Sequence, residues 1–405
     1  MNAATLAALL VKAAAKQQLR LSPFGGAFPA ATDDKPRLLY VHIPFCLMLC
    51  PYCSFHKFRF HEPSARRYFA LLRREILNVH ALGYRFDAAY FGGGTTTVLP
   101  GELAETIDLI RSLFGIKEIS CESDPVHLAD LEDTRFDGRI SRLSVGEQSF
   151  NDRHLRQMGR YEKFGSGAAQ YEKVARAVGR FDALNVDMIY NYPDQTEAEL
   201  LEDLHTLLCL RPEQITFYPL MYSPVLGVQL KKRWGALSFE REARFFGLIA
   251  KVLAGRYVQR SAWAWSLAGE GIIDEYVIER DEYVGLGSGA FSFLGGRLYA
   301  NTFSLPEYAR RIEAGLSGVT RAATFDGPAI ARYRAMVELF GLKTPQKTLW
   351  PETALLKLAG AYDANGVTPK GALIASAMMR EFYNGMDTIR ETMRAPLTPE
   401  DGMIR

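Results

Sequence analysis

The sequence predicts an α/β fold: a partial (β/α)6 TIM-like barrel with a mixed α/β C-terminal extension. Three observations predict it. Short apolar runs alternate with longer stretches of helical spacing between about residues 38 and 220, the pattern of a parallel sheet covered by helices. Glycine and polar residues recur just beyond the ends of those runs, where barrel sites are built. About six strand–helix units are complete by residue 220, so the expected barrel is open rather than a closed ring of eight.

The elements follow in order. Met1 to Lys16 is rich in Ala and Leu, but Lys12 and Lys16 interrupt it and no basic segment precedes it. It therefore reads as a short amphipathic helix rather than a secretory signal. Leu21 to Arg37, with three Pro and two adjacent Gly, reads as a linker. Leu38 to Ile43 is the first strand, and Ala65 to Leu82 has helical spacing. Ala88 to Phe91 is a strand that runs into Gly92-Gly93-Gly94, and a helix follows from about Gly101 to Phe114. Ile119 to Glu122, Arg142 to Val145, Asn185 to Tyr190 and Gln214 to Tyr218 are further strands, with a helix from Glu197 to Leu210 after the third of these. From about Leu237 the pattern becomes irregular and aromatic-rich. The expected organisation is an N-terminal helix and linker (1–35), a core barrel (36–235), a substrate-covering extension (236–345) and a small helical subdomain (346–405).

Composition narrows the function. At 405 residues, 48% hydrophobic and 23% charged, the chain has ample material for a buried core, which excludes disordered, collagenous and disulfide-stapled classes. Lys plus Arg (48) against Asp plus Glu (46) leaves +2, too balanced for a nucleic-acid-binding footprint. The basic run Lys231-Lys232-Arg233 reads as a solvated face. No run of eighteen apolar residues offers a membrane span, and a cytoplasmic location is expected.

Of the five cysteines, Cys46, Cys50 and Cys53 fall within eight positions, just after the first strand. Cys121 and Cys209 stand apart in or beside apolar segments and are expected to be buried thiols. A Cys-x-x-x-Cys-x-x-Cys loop points to an iron–sulfur cluster. Three thiolates leave one iron of a four-iron cluster open to a small molecule. Structural zinc is the alternative, with His56 as a fourth ligand.

The cysteine loop, followed by Phe55, resembles the radical SAM superfamily. Within it, Tyr40-Val41-His42-Ile43-Pro44-Phe45-Cys46 is similar to the oxygen-independent coproporphyrinogen III oxidase group. The resemblance continues through Gly92-Gly93-Gly94-Thr95, Glu122-Ser123-Asp124-Pro125, Arg142 to Phe150, Asp187 to Tyr190 and Tyr283 to Ala290, so it spans roughly residues 36–345. It implies a [4Fe-4S] cluster on Cys46, Cys50 and Cys53 and S-adenosylmethionine (SAM) chelated at the open iron. A reductant such as flavodoxin or ferredoxin is also implied. The expected SAM contacts are Tyr40, Gly93, Gly94, Thr95, Glu122, Gln148, Arg160 and Asp187. At the glycines, the missing Cβ would let the methionyl amine approach the backbone. For Glu122 the alternative is a surface carboxylate, and for Arg160 a helix-surface ion pair. His42, Tyr40 and His56 are the acid–base candidates, with Tyr218 beside them. Trp263 and Trp265 are candidates to line an apolar pocket or to pack in the core.

Two departures from the group's pattern bear on function. Coproporphyrinogen oxidases usually carry a fourth cysteine two places after the third, where this chain has Phe55. The heme-chaperone relatives typically carry a His-containing element where Ser261 to Arg280 here has no His. The third branch, the class C radical SAM methyltransferases, binds two SAM molecules and methylates an sp² carbon of a flat ring. The segment Cys53 to Phe60 is similar to members acting on menaquinone. The first expectation is therefore such a methyltransferase, visiting a membrane surface transiently. A coproporphyrinogen oxidase-like tetrapyrrole-modifying enzyme and a heme-binding chaperone are the alternatives.

Overall fold

A computed structural model of the chain describes residues 3–128, 136, 138–224, 226–268, 276–345 and 352–398. Six parallel strands form its centre: β1 (Arg37–Ile43), β2 (Phe86–Gly93), β3 (Glu118–Ser123), β4 (Arg142–Gln148), β5 (Ala183–Tyr190) and β6 (Gln214–Pro219). Each pairs in parallel with the next in chain order. Beyond β6 the sheet continues antiparallel through β8 (Ala264–Leu267) to β7 (Tyr257–Gln259). On the opposite edge, β9 (Tyr283–Leu286) lies parallel to β1, and β10 (Phe291–Leu294), β11 (Arg297–Asn301) and β12 (Val319–Thr324) follow antiparallel. Ser22–Pro23 pairs with β12 at the rim, giving thirteen strands in one open order. The open parallel barrel and its mixed extension are those expected from the alternation of runs.

The strand pattern explains the layering. In β1 every residue but Tyr40 is buried, so the strand has no solvent face. Such strands read as continuous apolar runs because helices cover the outside. Leu39, Val41 and Ile43 join an outer core with Phe69, Leu72 and Ile76 of α2 (Glu62–Ala81) and Leu103, Ile107 and Ile110 of α3 (Pro100–Phe114). α4 (Gly167–Ala177) and α5 (Glu197–Leu210) add Val174, Leu200, Leu204 and Leu207. Each such residue contributes about 1.5–3 kcal/mol by leaving water. The inward positions are instead polar and pair with one another. Thr216 donates to Asn185 (2.9 Å), Asn185 to Ser144 (2.7 Å), and both Ser144 and Asn185 donate to Asp187 (2.7 and 2.8 Å).

Helix ends follow from local chemistry. Pro100 opens α3, and Gly115 closes it in the left-handed region (φ 68°). Thr196 and Glu199 form a reciprocal capping box at α5, worth about 1 kcal/mol.

The C-terminal part adds α6 (Phe239–Leu253), α7 (Gly327–Phe340), α8 (Glu352–Leu358) and the long α9 (Pro369–Arg394). The N-terminal helix α1 (Ala3–Gln18) packs on α9. Its buried positions are Ala4, Ala8 and Ala15, and a Cβ at Gly385 of α9 would fall 2.7 Å from that of Ala15. Small residues on both helices set this close approach. Among the described residues no helix is long and apolar enough to cross a membrane.

Candidate active site

The loop after β1 carries the three cysteines. Phe45–Cys46 pairs with Phe58–Arg59, and the Phe60 amide donates to the Cys46 carbonyl (2.8 Å), so the loop returns on itself. Three cations fix its backbone: Lys163 donates to the Met48 carbonyl (3.2 Å), Lys57 to that of Cys53, and Arg394 of α9 to that of Ser54. Phe55, at the position of the missing fourth cysteine, lies beneath the Arg390 guanidinium, 4.8 Å from the ring centroid. Burial pushes the Cys46 thiol up to about 12, and Cys53 adds to the rise, while Lys163 and Lys57 act against it. A thiol of this kind ionises when a metal draws the sulfur.

Cys46, Cys50 and Cys53 all face one cavity of about 900 Å³. Among the described residues no three His, Cys, Asp or Glu side chains are gathered as a site for a single metal ion. The His56 ring lies 4.1 Å from that of Phe303, and its Nε2 is engaged 3.2 Å from Ser288 Oγ, while Nδ1 has no hydrogen-bond partner among the described residues. Three soft sulfur donors in one cationic loop fit an iron–sulfur cluster with an open iron.

Every other residue expected at the site lines the same cavity: Tyr40, His42, His56, Gly93, Gly94, Thr95, Glu122, Gln148, Arg160 and Asp187. Their local geometry differs from the sequence expectation at several points. Glu122 accepts from the Tyr90 hydroxyl (2.9 Å) and the Gly93 amide (3.0 Å), so this carboxylate braces the glycine turn. Gly93 sits at φ +122°, where its Cβ would fall 2.6 Å from the His42 ring. The glycine is required by backbone conformation and by His42, not only by an approaching ligand. Thr95 donates to Asp124 (3.1 Å), and Asp124 also meets His127 (2.8 Å). Burial raises the Asp124 carboxyl, but the bond to His127 and the charges of His127 and Lys163 outweigh it and bring it down to about 2.

Arg160 is not on a helix surface. It is buried, donates to the Gly146 carbonyl and lies 4.4 Å from the Phe164 ring centroid. Gln148 ends β4 at a register shift with φ 73°, an uncommon conformation for a side-chain-bearing residue. Asp203 of α5 secures the next two residues, accepting from Ser149 Oγ and the Phe150 amide, both at 2.8 Å. Tyr218 and Trp263 also line the cavity, and Trp263 donates to Ser376 (2.8 Å). Trp265 instead packs beside Phe217 and Phe246 in the core. Cys121 is buried as expected, but Cys209 is exposed on the outer face of α5, a correction to its expected burial. Sequence reasoning missed Tyr90, Asp124, Lys163, Arg390 and Arg394 as site residues. The α9 pair carries no local signal, because it reaches the loop only through tertiary packing.

The fold and this cysteine-lined cavity agree with the sequence match to a radical SAM domain. A sequence profile of the radical SAM superfamily matches residues 40–207, and the chain carries a radical SAM domain, which uses a [4Fe-4S] cluster and SAM. The heme chaperone HemW of Bacillus subtilis (strain 168) is 27% identical over 283 residues, covering 66% of this chain and 74% of that protein. The oxygen-independent coproporphyrinogen III oxidase of Escherichia coli (strain K12) is 31% identical over 214 residues, covering 50% of this chain and 46% of the oxidase. The crystal structure of coproporphyrinogen III oxidase (HemN) from Escherichia coli superposes with a TM-score of 0.66 at 21% identity, over 86% of this chain and 90% of that one. The chain thus carries a radical SAM domain over residues 40–207, and the structural likeness shows the shared fold.

Proposed function

We propose that this protein is an enzyme that applies 5′-deoxyadenosyl radical chemistry to a flat conjugated substrate of the tetrapyrrole class. The observation that carries the reading is one continuous cavity holding the cysteine loop, the SAM-contact candidates and an aromatic wall of Tyr218, Trp263, Phe291 and Tyr383. The roles of the relatives, heme chaperoning and coproporphyrinogen oxidation, support a tetrapyrrole.

In this reading Cys46, Cys50 and Cys53 hold the cluster, which when bound supplies the electron that cleaves SAM. Glu122 and Tyr90 fix the Gly93 backbone at the SAM end of the cavity. Tyr40 lies 2.8 Å from His42 Nδ1, a pair able to hold or move one proton. The α9 arginines steady the loop, Arg394 through the Ser54 carbonyl and Arg390 through the Phe55 ring. Phe55 in place of a fourth cysteine argues against oxidation of coproporphyrinogen itself and for another member of the class.

A second reading, methylation of an sp² ring carbon on a substrate such as menaquinone, is favoured by one observation. The far arm of the cavity is apolar, lined by Leu10, Ile330, Met336, Leu356, Ile374 and Met378, and suits a hydrocarbon tail better than several carboxylates. The relatives' names lend that reading no support. Product analysis of anaerobically reconstituted protein separates the cases. Tetrapyrrole consumed with 5′-deoxyadenosine formed supports the proposal. S-adenosylhomocysteine together with 5′-deoxyadenosine and a heavier quinone supports methylation. A heme Soret band without turnover indicates a carrier and overturns both.

A further inference from the structure

The rim of the cavity bears a feature that cofactor chemistry does not require. Leu6 and Leu10 of α1 and Leu355 of α8 line the cavity and are also 45%, 57% and 53% exposed. Leu9 beside them is 49% exposed, and Leu358 is 84% exposed. Leucines left half in water at one opening are costly to keep and mark a contact surface.

α1 divides into three faces by helical spacing. Ala4, Ala8 and Ala15 meet α9; Leu6, Leu10 and Ala13 turn to the cavity; Leu9, Lys12 and Lys16 point outward. The outward face thus joins an exposed leucine to two cations, and the helix contains no acidic residue. Arg20 follows it. On the other side of the opening, Glu352 is neutralised by Arg332 (3.0 Å), and Lys357 adds a cation. An apolar stripe flanked by lysines that form no ion pair among the described residues is complementary to a bilayer surface with anionic headgroups.

We propose that α1 and α8 dock the mouth of this cavity onto an anionic membrane surface, so that an apolar substrate passes from the bilayer into the barrel without crossing water. The docking stands on the rim alone, and the passage of substrate rests on the cavity being the substrate site.

The test is anaerobic co-sedimentation of the full-length, cluster-loaded protein with phosphatidylcholine vesicles, with and without phosphatidylglycerol. The wild type is expected to pellet with the anionic vesicles and to be released by salt. Leu9→Ser with Leu358→Ser, at positions outside the cavity lining, should cut partitioning about tenfold. Lys12→Glu with Lys16→Glu should remove the preference for phosphatidylglycerol. Substrate-free SAM cleavage and the thermal midpoint should stay unchanged in both double variants.

Wild-type protein that remains in the supernatant with both vesicle types overturns the proposal, as do leucine variants that pellet equally well. So does sedimentation velocity showing a dimer that these substitutions dissociate. Loss of docking with product formation intact in detergent defeats only this inference. Docking without any SAM cleavage defeats only the enzymatic reading.

Discussion

The hydroxyl of Tyr40 lies 2.8 Å from Nδ1 of His42, while the opposite ring nitrogen, Nε2, lies 3.0 Å from the carbonyl oxygen of His56. A carbonyl only accepts, so Nε2 carries the proton and Nδ1 accepts from Tyr40. Burial pushes His42 down to about 4 and raises the Tyr40 phenol, with the Glu122 charge adding to that rise, so near pH 7 the ring is neutral and the phenol keeps the proton of the pair. Tyr40→Phe removes that proton while keeping the ring. Product formation should fall about 100-fold, with SAM cleavage, read as 5′-deoxyadenosine, within a factor of about two. Equal loss of both readouts would mean that the pair positions SAM rather than moving a proton.

Gly93→Ala should destabilise the protein before any ligand binds. The new Cβ enters a conformation that costs about 1–3 kcal/mol, and it meets the His42 ring at 2.6 Å. His42→Ala in the same chain removes the clash but not the backbone cost. The thermal midpoint of the double variant should therefore lie above that of Gly93→Ala and below that of His42→Ala. A Gly93→Ala protein as stable as wild type would contradict this geometry.

Cys50→Ala should abolish both the broad iron–sulfur absorption and SAM cleavage after anaerobic reconstitution. Retention of both would remove Cys50 from the ligand set.

Arg394→Ala should leave the cluster able to form but hasten its loss to a chelator. The guanidinium's bond to the Ser54 carbonyl is worth about 1–2 kcal/mol, which corresponds to roughly tenfold in the rate of loss. An unchanged rate would show that α9 does not clamp the loop.

Asp203 gives the fold a pH dependence. Burial pushes this carboxyl up from 3.8 to about 7, against the bonds from Ser149 and Phe150. Between those values the folded chain holds a proton that the unfolded chain has released, so stability falls as pH rises and the contribution is gone above about 7. From about pH 6 to about pH 8 the wild type should lose about 1 kcal/mol relative to Asp203→Asn in urea unfolding. Parallel pH profiles for the two proteins would refute the shift.

Much of the architecture was legible because the barrel core is coded locally. The reading of Glu197 to Leu210 as a helix matches α5 residue for residue, since its leucines recur at helical spacing. Gln214 to Tyr218 lies within β6, which ends one residue later. α2 begins three residues before the apolar spacing does, because Glu62 and Pro63 bear a first-turn acid and proline. At the site, the cysteines and the glycine turn were visible because their chemistry depends on spacing in one loop. What holds them was not. Tyr90 reaches Glu122 across neighbouring strands, and Lys163 reaches Met48 from the short helix Tyr161–Phe164. The side chain of Trp263 faces the cavity while Trp265 enters the core, a distinction that depends on where β8 lies against β6. Cys209 occupies the one outward position in a leucine-rich turn, where neighbouring apolarity misleads.

The bond from Arg394 to Ser54 joins residues 340 positions apart, and this separation bears on biosynthesis. On a ribosome adding about 5–20 residues per second, the cysteine loop emerges about 20 to 70 seconds before the helix that will cover it. The order of synthesis thus puts the three thiols outside the ribosome well before the arginine that steadies their loop has been made.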